Sequence, residues 1–340
     1  MKSRAIRVVR ERGEEVRQLL RERGLLRPDL RVIREASTLL FALTPEGPVP
    51  DGIGDLVEAE FPPIATRGAQ DYRDLLSGSG IARETLPRSF DVVGDIVLVR
   101  LPSELESRGA EIGAALLEFV PGARLVGQDR GVEGPERRRS VECLAGTGGW
   151  TTRHRENGLE LEVDLQRAYF SPRLAREHAR VAAEVRVGDR VYDLCCGVGP
   201  FSVTIARDGR ASQVIAVDAN PAAIHLLRTT LARYTFARTV EPVEQDLDQF
   251  LAGRTPFERV VFNLPHEGIK YLPSVGTVVS RAGRLFYYEV VDRDTFEHRS
   301  DQLLATLGSP GEWRRVGLRV VHPYAPTSDL VSFTFERAAA

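Results

Sequence analysis

The sequence has few cysteines, and their spacing excludes the commonest metal-binding pattern. Its 340 residues include only three, Cys143, Cys195 and Cys196, and no two of them form a CxxC pair. Paired cysteines are the usual frame of structural zinc sites, so we expect no metal site. The adjacent Cys195 and Cys196 are predicted to be small buried side chains in a reducing compartment.

Long apolar runs are also absent. No run reaches the ~18 residues that a membrane-spanning helix needs, and the first residues lack the apolar core of a signal peptide. These absences predict a cytoplasmic protein. A net charge of −2 excludes a globally basic nucleic-acid-binding protein.

The charge is nevertheless unevenly distributed. Residues 1–35 contain eleven Lys or Arg and six Asp or Glu, a local charge of +5, and Arg137, Arg138 and Arg139 follow one another. Local basic patches on a neutral chain are able to contact phosphate. Solvated helix faces are the alternative interpretation of the first patch.

Two domains are predicted before residue 166. Residues 1–65 form a small domain with a helix over 8–23 and a strand at STLLFAL, and a Pro- and Gly-rich loop follows. Residues 66–165 form an α+β middle domain, with a strand at 88–100 and a helix at 104–120. The stretches VECLAG, TTRHRENG and LELEVDL are interpreted as strand, turn and strand.

Residues 166–340 are predicted to form the third domain. A helix over about 172–185 is followed by short apolar runs, VYDLCC, VIAVDAN and RVVFNLP, that alternate with helical segments. Because parallel strands need helical crossovers and are buried on both faces, this alternation predicts an α/β domain with a mainly parallel, doubly wound sheet.

A glycine loop follows the first of these strands. The strand ends at Asp193 and is followed by Gly197-Val198-Gly199 and a helix, so the glycines let backbone approach a ligand at the carboxyl edge of the sheet. Neither G-x-G-x-x-G nor G-x-x-x-x-G-K-[ST] is present, which argues against a dinucleotide or a nucleoside triphosphate.

Acidic residues end the next two strands. Asp218 lies about twenty residues beyond the glycines, where a carboxylate accepts both hydroxyls of a ribose, and Asp246 follows the third strand. This order resembles the Rossmann-like class of S-adenosylmethionine-dependent methyltransferases, and a tight turn of another α/β domain is the alternative. The predicted cofactor residues are Asp193, Cys195, Gly197, Gly199, Phe201, Asp218, Ala219, Asp246, Leu247 and Asn263.

The fourth strand ends in Asn263-Leu264-Pro265. In the class that the sequence resembles, this strand ends over the sulfonium of the cofactor, so the motif is expected to face the methyl acceptor. An Asn side chain both donates and accepts hydrogen bonds, which suits the edge of a base, and Pro265 has a fixed φ that shapes a slot. The alternative interpretation is a loop in which the proline only forms a turn.

Motifs over 88–272 resemble one particular family. They are RSFDVVGDIVLV, RRRSVECLAG, TTRHRENG, AYFSPRLAREH, DLCCGVGPF and NLP, in that order. The stretch is similar to the archaeal and eukaryotic tRNA (guanine-37-N1)-methyltransferase family, which also contains the wyosine-pathway enzymes. The first sixty residues more loosely resemble that family's domain for the outer corner of tRNA. The resemblance implies S-adenosylmethionine as cofactor, tRNA as partner and a monomer.

The resemblance also assigns roles to residues around the acceptor. Guanine N1 carries a proton that must leave before methylation, and the resemblance makes Glu177 its acceptor and Arg137 the cation at O6. It makes Tyr169 an aromatic contact of the extruded base, with Asn263 on the base edge and Pro265 in the slot. Arg173 and Arg139 complete the predicted substrate-binding set.

Each role has an alternative that the residues leave open. Glu177 is also placed for an ion pair with Arg173 at i,i+4, although that order of charges is the weaker one. Arg139 is expected to pack against or pair with Glu142, Arg137 is alternatively an exposed phosphate contact, and Tyr169 is alternatively a core residue. Wyosine-pathway methylation is the runner-up function, followed by aminocarboxypropyl transfer and a non-enzymatic tRNA-binding module.

Overall fold

The computed structural model describes residues 2–27, 30, 32–35, 37–45, 47–50, 52–61, 71–133 and 138–339. The chain divides into two compact units, residues 1–77 and 78–340. The predicted boundary near residue 65 lies outside the described residues, and the division into three domains stays a prediction. No helix in the described ranges is long and apolar enough to cross a membrane.

The first unit contains a four-stranded antiparallel sheet and one helix. The sheet has the order β2-β3-β1-β4, with β1 at Lys2–Val9, β2 at Ile33–Arg34, β3 at Thr38–Ala42 and β4 at Asp55–Glu60. Helix α1, Gly13–Glu22, buries Val16 and Leu20 against this sheet. The prediction of a helix from residue 8 was wrong at its start, because Val8 and Val9 pair with β3.

The second unit begins with a four-stranded sheet in the order β5-β6-β7-β8. Its strands are β5, Asp91–Val93; β6, Ile96–Val99; β7, Leu125–Glu133; and β8, Arg138–Gly146. Helix α2, Gly109–Phe119, packs on β7 and β8, and a Cβ at Gly113 would lie 2.7 Å from that of Leu144. This close approach needs a glycine.

A β-hairpin follows where the sequence predicted a turn. Strands β9, Thr151–Glu156, and β10, Leu159–Asp164, are antiparallel, and only Asn157 and Gly158 form the turn. The buried positions of β9 are Thr152, His154 and Glu156. The prediction was wrong because the inward face of this strand is polar, so its alternation is not one of apolar and polar residues.

A seven-stranded sheet forms the rest of the unit, in the order β13-β12-β11-β14-β15-β17-β16. Its strands are β11, Arg190–Leu194; β12, Gln213–Asp218; β13, Val240–Glu244; β14, Phe257–Phe262; β15, Val279–Asp292; β16, Trp313–Pro323; and β17, Ser328–Arg337. β11 to β15 are parallel, and β17 is antiparallel to both of its neighbours. The predicted mainly parallel Rossmann-like sheet is confirmed.

Helices cover both faces of this sheet. They are α3, Ala175–Glu184; α4, Pro200–Arg207; α5, Pro221–Leu231; α6, Leu247–Leu251; α7, Leu272–Thr277; and α8, Phe296–Leu307. One core cluster joins α3, α4, α5 and β10, and the second joins α6, α7 and α8. The central strands are therefore buried on both sides, as their near-continuous apolar sequence requires.

Candidate active site

A cleft of about 640 Å³ lies at the carboxyl edge of the parallel strands. The segments that line it follow β11, β12, β13 and β14, which is where open α/β sheets bind ligands. These segments contribute Cys195, Cys196, Gly197, Asp218, Ala219, Asn220, Gln245, Asp246, Leu247, Asn263, Leu264, Pro265 and His266. The loop and helix before β11 add Tyr169, Leu174 and His178.

The glycine loop is shaped by backbone conformations that glycine favours. Gly197 has a φ of 57° and lies in the cleft, and Gly199 has a φ of 75° at the N-cap of α4. A Cβ on Gly199 would lie 2.4 Å from Leu227 Cδ1, so this glycine allows α4 to pack on α5. Cys195 also has a positive φ of 58° and lines the cleft.

Asp193 is not among the cleft residues, and its side chain contacts the helix that follows the glycine loop. It is 1% exposed, and its Oδ2 accepts hydrogen bonds from Ser202 N at 3.1 Å and Ser202 Oγ at 2.6 Å. Burial raises the pKa of Asp193 to about 7, the bonds from Ser202 oppose this shift, and the negative charge of Asp218 adds to it. The structure thus gives Asp193 a positioning contact with α4.

Gly199 is likewise not among the cleft residues, and the remaining predicted cofactor residues line the cleft. Asp218 accepts hydrogen bonds from Gly197 N at 2.7 Å and Asn220 N at 2.9 Å, which ties the glycine loop to the end of β12. Asp246 caps α6 by accepting from Asp248 N at 2.9 Å. Each carboxylate oxygen has a second lone pair, so both side chains retain acceptors for a ligand.

The described lining residues after β11, β12 and β13 include no Lys or Arg. A nucleoside presents hydroxyl and amino donors that suit the carboxylates of Asp218 and Asp246, whereas a phosphate group would be repelled by their charge. The cleft therefore fits a nucleoside cofactor. This agrees with the absence of dinucleotide and triphosphate motifs from the sequence.

Asn263, Leu264 and Pro265, which were predicted to face the methyl acceptor, line one part of the cleft, and Tyr169 is among the other lining residues. The loop after β14 is fixed by two backbone hydrogen bonds, from Val290 N to Pro265 O at 3.1 Å and from Gly268 N to Leu264 O at 2.9 Å. The predicted acceptor residues Tyr169, Asn263 and Pro265 are thus brought to one cleft.

Arg139 lies beside Tyr169, with its guanidinium carbon 5.8 Å from the ring centroid. It is buried, donates to Asp129 Oδ2 at 2.5 Å and to Phe170 O at 2.9 Å, and does not pair with Glu142. The predicted contact was wrong because residues three apart on a strand point to opposite faces. Glu142 instead pairs with Arg130.

Arg137, predicted to stabilise O6, lies outside the described residues. Arg173 is half exposed and pairs with Asp91 Oδ1 at 2.9 Å, so the alternative ion pair between Arg173 and Glu177 is wrong. Residues Pro172–Leu174 form a 3₁₀ turn and the α-helix begins at Ala175, so Arg173 does not lie one α-helical turn before Glu177. Ser171 is the N-cap of this turn and Pro172 is its first residue, and the Ser171 side chain makes no capping hydrogen bond.

Glu177 is buried in an ion pair with a different arginine. Its side chain is 2% exposed, Arg180 Nε lies 3.0 Å from both carboxylate oxygens, and Tyr288 Oη donates to Oε1 at 2.9 Å. Burial would raise the pKa of Glu177, but the hydrogen bonds and charge of Arg180, with hydrogen bonds from Tyr288 and Ser332, hold it below its usual range. Glu177 is therefore ionised, and it is not among the residues that line the cleft.

His178 lines the cleft, although no role was predicted for it. It is 1% exposed, its Nδ1 lies 2.7 Å from Glu156 Oε1, and its ring packs at 4.5 Å on that of Phe201. Glu156 lies on the inward face of β9 and could have indicated a buried polar partner for His178. It was missed because β9 was predicted to be a turn.

Comparison with known proteins agrees with this geometry. The model of the TRM5/TYW2 methyltransferase domain matches residues 152–308, and that of the TYW2 N-terminal domain matches residues 72–149. A curated relative, tRNA (guanine(37)-N(1))-methyltransferase Trm5b of Pyrococcus abyssi, is 31% identical over 97% of this chain and 98% of its own length.

Solved structures give the same assignment over nearly the whole chain. The crystal structure of wild-type Trm5b from Pyrococcus abyssi is 30% identical with a TM-score of 0.71 and covers 99% of both chains. The complex of aTrm5 with tRNALeu is 27% identical with a TM-score of 0.70 and covers 98% of this chain and 99% of that one. The chain belongs to the TRM5/TYW2 methyltransferase family.

Proposed function

We propose that the protein transfers a methyl group from S-adenosylmethionine to N1 of guanosine 37 in tRNA, beside the anticodon. One observation carries the proposal: Asp218 and Asp246 share a cleft with Asn263, Pro265 and Tyr169. The first two suit a nucleoside cofactor, and the other three suit a planar base. The relatives named for this reaction match the chain almost from end to end.

The cofactor is assigned to the side of the cleft formed by the loops after β11, β12 and β13. Asp218 would accept from the ribose hydroxyls, Asp246 would lie near the adenine, and Gly197 would let the backbone approach closely. When bound, the cofactor supplies an electrophilic methyl group on its sulfonium. The protein contributes orientation, because Asp218 itself fixes the conformation of the glycine loop.

The acceptor base is assigned to the side formed by Asn263, Pro265 and Tyr169. Asn263 offers a donor and an acceptor to the base edge, and Tyr169 offers a ring that compensates for stacking lost on extrusion. We assign the cation at O6 to Arg137, as the family resemblance implies. A fixed positive charge there stabilises the negative charge that develops on O6 as the N1 proton leaves.

Glu177 is proposed as the acceptor of the N1 proton. It is ionised, which a base requires. Its carboxylate is held by Arg180 and Tyr288 rather than in the cleft, so this role requires it to leave Arg180 when the substrate binds. The order of events is then substrate binding, release of Glu177, and proton transfer from N1 to its carboxylate. N1 then bonds to the methyl carbon as the bond from that carbon to the sulfonium sulfur breaks, and the sulfur keeps the electron pair.

The partner is proposed to be tRNA, contacted at the anticodon loop by the second unit and at the outer corner by the first. The solved complex of a relative with tRNALeu and the basic residues of the first unit support this assignment. A cytoplasmic monomer is the setting that we propose for the reaction.

The test is incubation of the protein with S-adenosylmethionine and tRNA transcripts that carry G or A at position 37. Mass spectrometry of the nucleosides is expected to give 1-methylguanosine from the G transcript alone. No 1-methylguanosine from that transcript would refute the proposal. Equal methylation of both transcripts would place the modified nucleotide elsewhere.

A second candidate substrate is a tricyclic guanosine derivative at the same position. It is favoured by the match of residues 72–149 to the TYW2 N-terminal domain. The same assay with tRNA that carries the tricyclic precursor separates the candidates, since a mass gain of one methyl group identifies methylation. Gain of an aminocarboxypropyl group would instead identify transfer of the other substituent of the sulfonium.

A further inference from the structure

Two aromatic side chains meet at the mouth of the cleft, beyond the residues assigned to cofactor and base. His266 Nε2 lies 3.0 Å from Tyr324 Oη, and the two ring centroids are 5.3 Å apart at an interplanar angle of 63°. Both residues line the cleft, and both are exposed, Tyr324 by 45%. We call this pair the mouth pair.

The mouth pair joins two segments that are distant in sequence. His266 directly follows Pro265 in the loop after β14, and Tyr324 begins the turn of the β16–β17 hairpin, where its N donates to Ser328 O at 3.0 Å. The hydrogen bond between the two rings restricts the torsion angles of both. Tyr324 is thus a preorganised aromatic surface beside the methyl-acceptor motif.

The surroundings of the mouth pair are polar. Glu267, Lys270 and His322 also line the cleft, and the exposed Lys270 pairs with Glu267 and lies 5.0 Å from the centroid of the Tyr271 ring. Exposed rings in a polar groove bind single-stranded nucleic acid by stacking on its bases.

The position of the mouth pair indicates which part of the RNA it contacts. A base that enters the cleft leaves its neighbour in the RNA loop without a stacking partner, and that neighbour must remain at the mouth because it is joined by one phosphodiester link. We propose that Tyr324, held by His266, stacks on the nucleotide adjacent to the methylated guanosine. This inference rests on the proposed function, and it adds a second nucleotide to the substrate that the protein reads.

Tyr324→Leu, Tyr324→Phe and the wild-type protein test the proposal. Each is bound to tRNA transcripts that carry 2-aminopurine on the 5′ or the 3′ side of guanosine 37, with sinefungin in place of the methyl donor. Stacking on Tyr324 quenches the fluorescence of the probe at one of these positions. We expect quenching with wild type and Tyr324→Phe, loss of quenching with Tyr324→Leu, and a Kd for tRNA raised about 5- to 150-fold in the Leu variant alone.

Two readouts keep the inference separate from the function on which it rests. Affinity for S-adenosylmethionine, measured by calorimetry, is expected to be the same in all three proteins and shows that each is folded. If wild type forms 1-methylguanosine but Tyr324→Leu binds and quenches like wild type, the inference is refuted and the function stands. If the wild-type protein forms no 1-methylguanosine, the proposed function is refuted, and the inference that rests on it is refuted as well.

Discussion

Replacing Arg180 by methionine tests whether the buried Glu177 carboxylate depends on its ion pair with Arg180. Arg180 donates to both oxygens of Glu177 and also pairs with Glu184. Methionine keeps an unbranched apolar chain next to Phe286, whose ring lies 5.6 Å from the guanidinium in the wild-type protein. The substitution therefore removes the charge and leaves most of the packing in place.

The expected loss of unfolding free energy follows from the burial of Glu177, which is 2% exposed. Removing one partner of a buried ion pair costs about 3–5 kcal/mol, because an uncompensated charge remains. Tyr288 still donates to the carboxylate and Arg319 Nε lies 4.0 Å from its Oε2, so we expect the low end of this range, a loss of unfolding free energy of about 3 kcal/mol. For a unit of this size, that is a fall in Tm of roughly 6–12 °C.

The loss of unfolding free energy in the Arg180→Met variant is also expected to depend on pH. In the wild-type protein the pKa of Glu177 is below its usual range, so its contribution to stability is present above pH ~4.3 and is lost as the pH falls through the lower folded pKa. In the variant, burial raises the pKa above the usual range, and protonation relieves the buried charge. The difference between the two proteins is therefore expected to be largest near pH 8 and smaller at pH 5.

Urea unfolding and thermal melts at the two pH values measure this difference, and Arg176→Met is the matched control. Arg176 lies on the same helix and is exposed, so its loss is expected to change stability by less than about 0.5 kcal/mol. Equal stabilities of the Arg180 and Arg176 variants, or a deficit that does not change with pH, would refute the assignment of a buried, charged Glu177.

Three further predictions concern the cleft. Glu177→Gln is expected to slow single-turnover methyl transfer about 10²- to 10⁴-fold with nearly unchanged cofactor affinity, and an unchanged rate would leave Glu177 a structural role only. Gly199→Ala should cost about 2–5 kcal/mol in urea unfolding, whereas Gly209→Ala, with a φ of 68° and no atom within 4 Å of the added Cβ, should cost only about 1–2; equal losses would exclude the contact with Leu227. Asp218→Asn should weaken cofactor binding in calorimetry roughly 10- to 150-fold, and an unchanged Kd would remove Asp218 from the site.

The parallel sheet was predictable because its signals are local. β12, for example, has four consecutive apolar residues, Val214 to Val217, that are at most 7% exposed, and an apolar run of that length shows directly in the sequence. β16 was not predicted because it is the edge strand of its sheet, and most of its residues are partly or fully exposed. Strands without a buried face carry no clear alternation.

The presence of Asp218 and Asp246 at one edge of the sheet was predictable for the same reason, since Asp218 ends β12 and Asp246 lies two residues beyond β13. The surroundings of Glu177 were not, because Tyr288 is 111 residues away in sequence and reaches the carboxylate only through the position of β15 beside β14. Arg180 was available in the sequence at i,i+3. The 3₁₀ turn before α3, which separates Arg173 from Glu177, is a detail that residue spacing does not specify.

The ion pair of Glu177 and its proposed role as a base are compatible because Arg180 has two carboxylate partners. Glu184 pairs with Arg180 and also with Arg284, at 3.1 Å, so Arg180 keeps a counter-charge when Glu177 leaves it. Releasing Glu177 then leaves no buried unpaired arginine, which is the costly part of breaking such a pair. The carboxylate itself moves to the acceptor side of the cleft, where the proposed bond to the guanine N1 proton replaces a hydrogen bond that it loses.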